Sequence, residues 1–500
     1  MSTTVPGESS SGCDQPIGDG RCGRPCEIET RCLLHTSKCG DAALEERFEQ
    51  ELAALIDADR PIGALGHLVF PGRPTCLDLI LRAADRGIAM PNARLEQTYL
   101  QIGPTDGQAR RVVREPLFLD DALFEGHLTF ANLDFRHRVS LQNLNAGGTL
   151  VFRNCSFAGG LEAECATIDG ALAFWDCDFK GNQCLLYRLR TTREFDISGG
   201  DIGRVVLAFS TLGMGIRLLN AKLDQLVLTK SDLFGRTYIE PALSPGDTHA
   251  RIGTSCFDAV TLEKDASVLI RRVDFGRSIF LDTDLGRWEL SDVRWARKGR
   301  RSVLWDELDL RPDAGPSDFE TVAETYRRLV LNYEAKRDHI AAEDFHVGEM
   351  EMRRRKAGAS ASGILRQIRS RANGFGVYDW LSRYGTSYRH AAWVLGGFLV
   401  VAAVALMIGG FRGIEHVSGS GLVVDYGLGA KAFASVWSLE GLRDFGNALV
   451  VAISMLTFQH SRYYEPTNAM VSRAVFQLAP MVLAGQGALL LLAVRRRFKR

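Results

Sequence analysis

Residues 270–295 read IRRVDFGRSIFLDTDLGRWELSDVRW. Ile270, Phe275, Phe280, Leu285, Leu290 and Trp295 stand five positions apart. An α-helix repeats its face every 3.6 residues and a strand every two, so neither explains this spacing. The same period recurs upstream. Leu123, Leu128 and Leu133 form one run, and Phe174, Phe179, Cys184 and Leu189 another. Ile197, Ile202, Leu207 and Leu212 follow, then Leu218, Leu223, Leu228 and Leu233. A small residue often stands two places before the central one: Ala131, Cys155, Ala166, Cys177, Ser210, Ala221, Ser231. Self-similarity of this kind marks a stacked repeat in which each unit buries its apolar residues against its neighbours. The phase resets between runs, which implies bulges or loops, and segment 236–256 (RTYIEPALSPGDTHARIGTSC) breaks it. That segment reads as a protruding loop.

The motif small–polar–Leu/Phe–polar–polar, seen in FANLDF, RNCSF, WDCDF, NAKLD and TKSDLF, resembles the pentapeptide-repeat family. The resemblance implies a right-handed β-helix (a β-solenoid) over 117–297, four repeats to each square turn. Roughly nine coils at about 4.8 Å each would make a rod of roughly 40 Å. Some members mimic DNA with an acidic rod. Here residues 117–297 hold 24 acidic and 20 basic residues, a near-balance that argues against that role and against a nucleic-acid partner.

A second pattern lies toward the C-terminus. Segments 391–411 and 474–494 are both free of charge. About 20 apolar residues suffice to cross roughly 30 Å of hydrocarbon, and each segment is long enough. Arg412, Arg473 and Arg495 flank these runs. Segment 1–40 lacks the apolar core of a signal peptide. Arg353, Arg354, Arg355 and Lys356, with Arg366, Arg369 and Arg371, precede the first run, and Arg495, Arg496, Arg497, Lys499 and Arg500 follow the second. Basic flanks stay inside, so the expectation is a multi-pass protein of the cell (inner or plasma) membrane, with both termini cytoplasmic and an even number of spans. Segment 445–459 is also uncharged but too short for an ordinary span, which suits a re-entrant segment better. Gln477, Pro480 and Gln486 interrupt the second span, and such groups face protein or water rather than lipid.

Between these parts, residues 316–372 carry Phe319, Val322, Tyr326, Leu329, Tyr333, Ile340, Phe345 and Met352 at helical spacing among charges. A helix start at Ser317 with Glu320 as its capping partner is expected. His339, Glu343 and His346 share one helical face, as a solvated stripe or as metal ligands. The segment from Tyr326 through Leu329, Tyr333, Glu334, Asp338, Ala342, Phe345, Glu349 and Arg353-Arg354, followed by Tyr384-Gly385, is similar to the connector of bacterial membrane proteins. Those proteins join pentapeptide repeats to a two-helix ion-channel-like domain. The resemblance covers about 120–500 and implies a homo-oligomer. It places a pore-loop approach at Ser454, Thr457, Gln459 and His460. A filter of backbone carbonyls needs glycines for its dihedrals, and 459–466 (QHSRYYEP) has none. Two readings follow: a channel-like protein whose rod senses or docks an unknown cytoplasmic protein, or a non-conducting, membrane-tethered scaffold.

At the other end, five of the eleven cysteines cluster between Cys13 and Cys39. Cys22, Cys26 and Cys32 with His35 or Cys39 could form a tetrahedral zinc site; otherwise they are free thiols on an arm spanning 1–40. Residues 41–116 read as a mixed helical cap, with a helix at 41–57. No nucleotide loop or nucleophile–base cluster stands out, so no enzyme is expected.

Overall fold

The structure, a computed structural model, describes residues 16–17, 20–21, 32–37, 41–58, 65–71, 74–96, 99–104, 109–311, 314–359, 373–414, 423–426, 438–467 and 470–498. The chain divides into two compact units, Met1–Arg311 and Pro312–Arg500.

The first unit is a β-solenoid. Parallel strands stack in register along its faces, and two of the sheets are nine-stranded. Equivalent strands lie one coil apart: Leu123 pairs with Asn145, Asn145 with Thr167, Thr167 with Arg190 and Arg190 with Thr211. Each coil is therefore slightly longer than four five-residue units. The physical unit is a half-coil of eleven. Asp121, Asn132, Asn143, Asn154, Cys165 and Asp176 stand eleven positions apart, and all adopt φ between +51° and +57°. Each marks a left-handed corner, a conformation that Asn and Asp tolerate better than most residues. The corner amides also ladder between coils: Asn143 Nδ2 donates to Asp121 Oδ1 at 3.0 Å, and Asn154 Nδ2 to Asn132 Oδ1 at 2.6 Å.

Between corners each face points two residues inward. Leu133 and Phe135, Val139 and Leu141, Leu144 and Ala146, and Leu150 and Phe152 are all buried. The step from one pair to the next alternates between six and five positions. The five-residue rule is thus true for every second step, which is why its phase resets. Most members of the runs line the interior, including Phe174, Phe179, Ile197, Leu218 and Phe280. Leu123 does not: it is in register with the exposed Arg94 and Asn145 and is half-buried. Leu290 and Trp295 keep the inward register of Ile270 and Phe275, but on the last strands of the stack they are only half-buried. Two aromatic columns run up the core. Phe130, Phe152 and Phe174 stack at 5.0 and 5.3 Å, and Phe135, Phe157 and Phe179 at 5.2 and 4.6 Å. Where a cysteine follows a corner, its thiol reaches a backbone carbonyl of the neighbouring coil. Cys155 Sγ lies 3.4 Å from Phe130 O and Cys177 Sγ 3.3 Å from Phe152 O.

The stack begins before residue 117. Val69–Phe70 pairs with Arg94–Leu95, which pairs with the strand at Leu123. Helix Ala42–Asp57, capped by Asp41, buries Phe48, Leu52 and Ile56. Phe48 meets Phe70 of the first strand edge-on at 5.5 Å. Segment 236–256 is not wholly a loop. Arg236–Glu240 is a strand within the stack, paired with Ser267–Arg271. The insertion follows it, and it makes the step from Asp232 to Thr261 longer than the step from Thr211 to Asp232.

At the C-terminal end a short helix, Trp305–Asp309, closes the last coils. Asp306 accepts the Phe280 backbone N–H at 3.0 Å, and Glu307 is held by Lys298 and Arg301, both at 2.8 Å. Burial raises the Asp306 carboxyl pKa to about 6. Its folded-state pKa lies above the unfolded value of about 3.9, so its contribution is fully present below about pH 4 and is lost as pH rises through about 6. Asp306→Asn keeps an acceptor for Phe280 but cannot ionise. Its stability relative to the parent should rise across that window, reaching about 3 kcal/mol. Denaturant melts from pH 4 to 7 test this; a difference that stays flat would contradict it.

In the second unit, Pro316–Ala335 and His339–Gly358 form a helical hairpin. Tyr333 stacks on Phe345 at 5.4 Å, and Lys356 reaches back to Glu320 at 2.6 Å. The first helix is capped earlier than expected: Asp318 Oδ2 accepts the Gly315 N–H at 2.8 Å. Two helices, Tyr388–Gly409 and Met470–Arg495 (the described helix runs on to Phe498), are long and apolar enough to cross a membrane, with mean hydropathies of 2.5 and 1.8. Most of the apolar stretch expected at 445–459 belongs to helix Leu439–Leu456, which starts earlier and ends before Thr457.

Candidate functional site

The site is built where these three C-terminal helices meet. Helix Leu439–Leu456 starts on Ser438, whose Oγ accepts the Gly441 N–H at 3.1 Å. Its charged first turns are accommodated because Asp444 Oδ2 accepts the Tyr426 hydroxyl at 2.7 Å. Its apolar stripe, Ala448, Val451, Ala452 and Met455, is fully buried. It packs with Ala403, Leu406 and Met407 of the first apolar helix and Leu483 of the second. This helix therefore seats in the crevice between the two membrane-length helices. The outer faces of both helices are open, with Trp393, Val401, Leu478, Met481 and Leu491 more than half exposed.

The four pore-loop candidates do not converge. The Ser454 hydroxyl donates to Val451 O at 2.7 Å, and the Thr457 hydroxyl to Ser454 O at 3.1 Å. Phe458 turns the chain through φ +55°, leaving Thr457 and Gln459 exposed. His460 points the other way: it is buried, with its ring edge-on to Phe476 at 5.6 Å.

A small sheet closes this end. Phe411–Gly413 pairs with Val423–Val424 and with Tyr464–Pro466. Arg412 and Glu465, distant in sequence, form an ion pair across it at 2.9 Å. The joint beneath is tight. Thr467 Oγ1 donates to Gly409 O at 2.7 Å, and Ser472 Oγ donates to Gly410 O at 2.5 Å.

The opposite end holds an elbow. Arg383, Tyr384 and Gly385 have φ of +49°, +58° and +73° in succession, turning helix Gly374–Ser382 into the first apolar helix. Tyr384 is buried edge-on to Tyr378 at 5.8 Å. A Cβ on Gly385 would lie 2.8 Å from Leu492, so the elbow sits against the second apolar helix. Gln486 of that helix donates to Leu381 O at 2.9 Å and Ala391 O at 3.0 Å. Arg354 of the hairpin reaches Asp379 at 3.1 Å. The elbow thus touches the hairpin and both apolar helices, a connection that single-sequence spacing could not reveal. Of the interrupting residues expected to face protein, Gln486 and Pro480 are buried, but Gln477 is exposed on the outer face.

At the N-terminus, Cys32 and His35 lie together, whereas Cys22, Cys26 and Cys39 are outside the described residues. His339, Glu343 and His346 remain half-buried on one helix. Among the described residues no three His, Cys, Asp or Glu side chains are grouped to hold a metal.

Together these features define a β-solenoid protein carrying two helices of membrane length. The chain matches no family model, no curated protein and no solved structure.

Proposed function

We propose that the chain is an integral membrane protein of the channel-like class related to the pentapeptide-repeat membrane proteins, with a cytoplasmic solenoid that senses or docks a protein partner. The observation that carries this reading is the short amphipathic helix Leu439–Leu456, seated between two membrane-length helices and followed by a turn that exposes Thr457 and Gln459. A span, a crevice helix, a turn and a second span is the order of parts a pore-loop domain needs. In this reading the spans lie in the cell membrane among lipids, both termini are cytoplasmic, and 445–459 is re-entrant. The exposed Gln477 supports a homo-oligomer, since a polar side chain within a span is costly against hydrocarbon. The elbow would carry movement of the helical hairpin to both spans. No catalytic role and no nucleic-acid partner is assigned.

The scaffold reading has its own support. The Ser454 and Thr457 hydroxyls are bonded to helix carbonyls, and 458–466 contains no glycine. Planar-bilayer recording of the purified full chain separates the two. Unitary currents are expected, and Thr457→Ala and Gln459→Ala should shift the reversal potential in a bi-ionic gradient. Silence under all voltages favours the scaffold, and currents of unchanged selectivity would remove Thr457 and Gln459 from the pore.

A further inference from the structure

Along one edge of the solenoid the left-handed corners of successive coils stand above one another. Arg188, Phe209 and Lys230 occupy three of them, with φ of +52°, +53° and +47°. Each corner N–H donates to the carbonyl one residue before the next corner: Arg188 to Ala208, Phe209 to Thr229 and Lys230 to Asp258. On the other edge the same coils turn through Asp176, Gly199 and Asn220. Asn, Asp and Gly suit such a corner, whereas a bulky side chain at positive φ is a backbone outlier. Packing does not require Phe209 there, because it is 47% exposed. Backbone strain of this kind clusters where a ligand is held.

The surroundings share one character. Tyr187, 44% exposed, lies beside Phe209 with ring centroids 5.7 Å apart, and Lys230 Nζ sits 5.4 Å over the Phe209 ring. Next to this column Leu185, Val206 and Val227 point outward in register on three successive coils and are half-buried. Arg204 flanks them on the far side. Lower on this face and at its other margin the cations are paired, Arg138 with Glu162 at 2.8 Å and Lys222 with Asp201 at 2.6 Å. Arg188, Arg204 and Lys230 pair with no carboxylate among the described residues. Glu164, in register with Tyr187, and Asp258, in register with Thr229, bound this positive section at its two ends.

We propose that this ladder docks an acidic amphipathic helix of a protein partner. The proposal rests on the reading of the solenoid as a docking domain and gives that domain a site and a partner chemistry. Charge complementarity selects an acidic partner, with its carboxylates between Arg204 on one side and Arg188 and Lys230 on the other. Spacing selects a helix. Side chains on successive coils repeat at about 4.8 Å. A helix lying along the rod presents its apolar stripe about every 5.4 Å, close to that repeat. An extended chain presents one face about every 6.7 Å and falls out of step. The apolar stripe would cover Leu185, Val206 and Val227, with Tyr187 and Phe209 as its wall.

The test screens the full chain, purified in detergent, against a displayed library of helices with apolar residues at helical spacing and Asp or Glu elsewhere. A basic library of the same spacing, single-stranded RNA and phosphatidylserine vesicles are run beside it. Acidic helices are expected to bind, more weakly at high salt. Phe209→Asn and Arg188→Ser should each weaken them by about tenfold or more, while Arg217→Ser, exposed on a different sheet, should not. Because asparagine suits the corner, Phe209→Asn should melt no lower than the parent. A lower melt would make Phe209 a packing residue and overturn the proposal. Acidic binders that survive both Phe209→Asn and Arg188→Ser overturn it too, but leave protein docking in place elsewhere on the solenoid. RNA or vesicle binding that Phe209→Asn abolishes, with no helix bound, reassigns the ladder to that ligand. No binding by any probe overturns the proposal and counts against the docking reading as well.

Discussion

Replacing Phe174 with alanine is expected to destabilise the solenoid by about 3–5 kcal/mol, the cost of emptying a large aromatic site in a packed core. Phe174 is fully buried and touches four other rings. It stacks on Phe152 at 5.3 Å and meets Phe157, Phe179 and Phe195 edge-on at 6.2, 5.7 and 6.1 Å. Offset and edge-on pairs each add about 0.5–1.5 kcal/mol beyond simple burial. The coil also resists collapse around the hole. Its neighbours are held by backbone ladders above and below, with Leu172–Trp175 paired on both sides. Because solenoid coils are stabilised chiefly by their nearest neighbours, a break at this inner coil should uncouple the stack on either side. Denaturant melts of the full chain, followed by circular dichroism, measure the loss, and limited proteolysis should locate new cleavage near 150–200. Met214→Ala is the control, since Met214 is half exposed. If both variants melt alike, the columns of phenylalanines are not what holds the coils.

Much of this core is legible in the sequence, but under the wrong period. The runs from Leu128 to Leu285 identify interior residues because two inward-facing positions on adjacent faces are five apart as often as six. The small residues are the better clue. Cys155, Ala166 and Cys177 are eleven apart, as are Asn132, Asn143 and Asn154 one place before a small or apolar residue. Eleven is the half-coil, and the asparagines mark the left-handed corners that define it. Corners are read from tolerance of positive φ, a backbone property that an apolar pattern does not register. The start of the stack near Val69 is hidden for another reason. The steps from Val69 to Arg94 and from Arg94 to Leu123 are unequal and longer than the coils between Leu123 and Asp232, so no period survives there.

The membrane unit is legible where composition alone decides, in the two uncharged runs 391–411 and 474–494. It is not legible where charges are neutralised by distant partners. Arg443 and Asp444 read as the edge of the apolar stretch at Phe445, yet the helix begins at Leu439, with the Tyr426 hydroxyl on Asp444. Arg412 and Glu465 read as unrelated charges and are one ion pair. His460 reads as part of one pore-loop approach with Ser454, Thr457 and Gln459 but packs onto Phe476. Each case turns on a contact between residues that sequence proximity does not relate.

The junction of the two long helices yields the second large effect. Gly409→Ala is expected to destabilise the membrane unit by about 1–3 kcal/mol, the usual range for overpacking a well-fitted site. Gly409 is the last residue of helix Tyr388–Gly409. A Cβ built there would sit 2.8 Å from Ser472 N and 2.9 Å from Ser472 Cα. Those are backbone atoms of the second apolar helix, so relief requires moving the helix itself rather than a side-chain tip. Movement would also strain the bonds from Thr467 and Ser472 to the carbonyls of Gly409 and Gly410. Helix propensity acts in the opposite direction, since alanine is favoured over glycine by about 1 kcal/mol in a helix interior. The sign of the result therefore decides between close packing and propensity. Gly446→Ala supplies the comparison. Gly446 lies within helix Leu439–Leu456, and a Cβ there meets nothing within 4 Å. It should be neutral or stabilising. Thermal inactivation of the purified chain in detergent, read by loss of monodisperse protein on size exclusion, compares the two variants directly. If Gly409→Ala is as stable as Gly446→Ala, the two helices do not meet at Ser472, and the crevice that seats Leu439–Leu456 loses its fixed width.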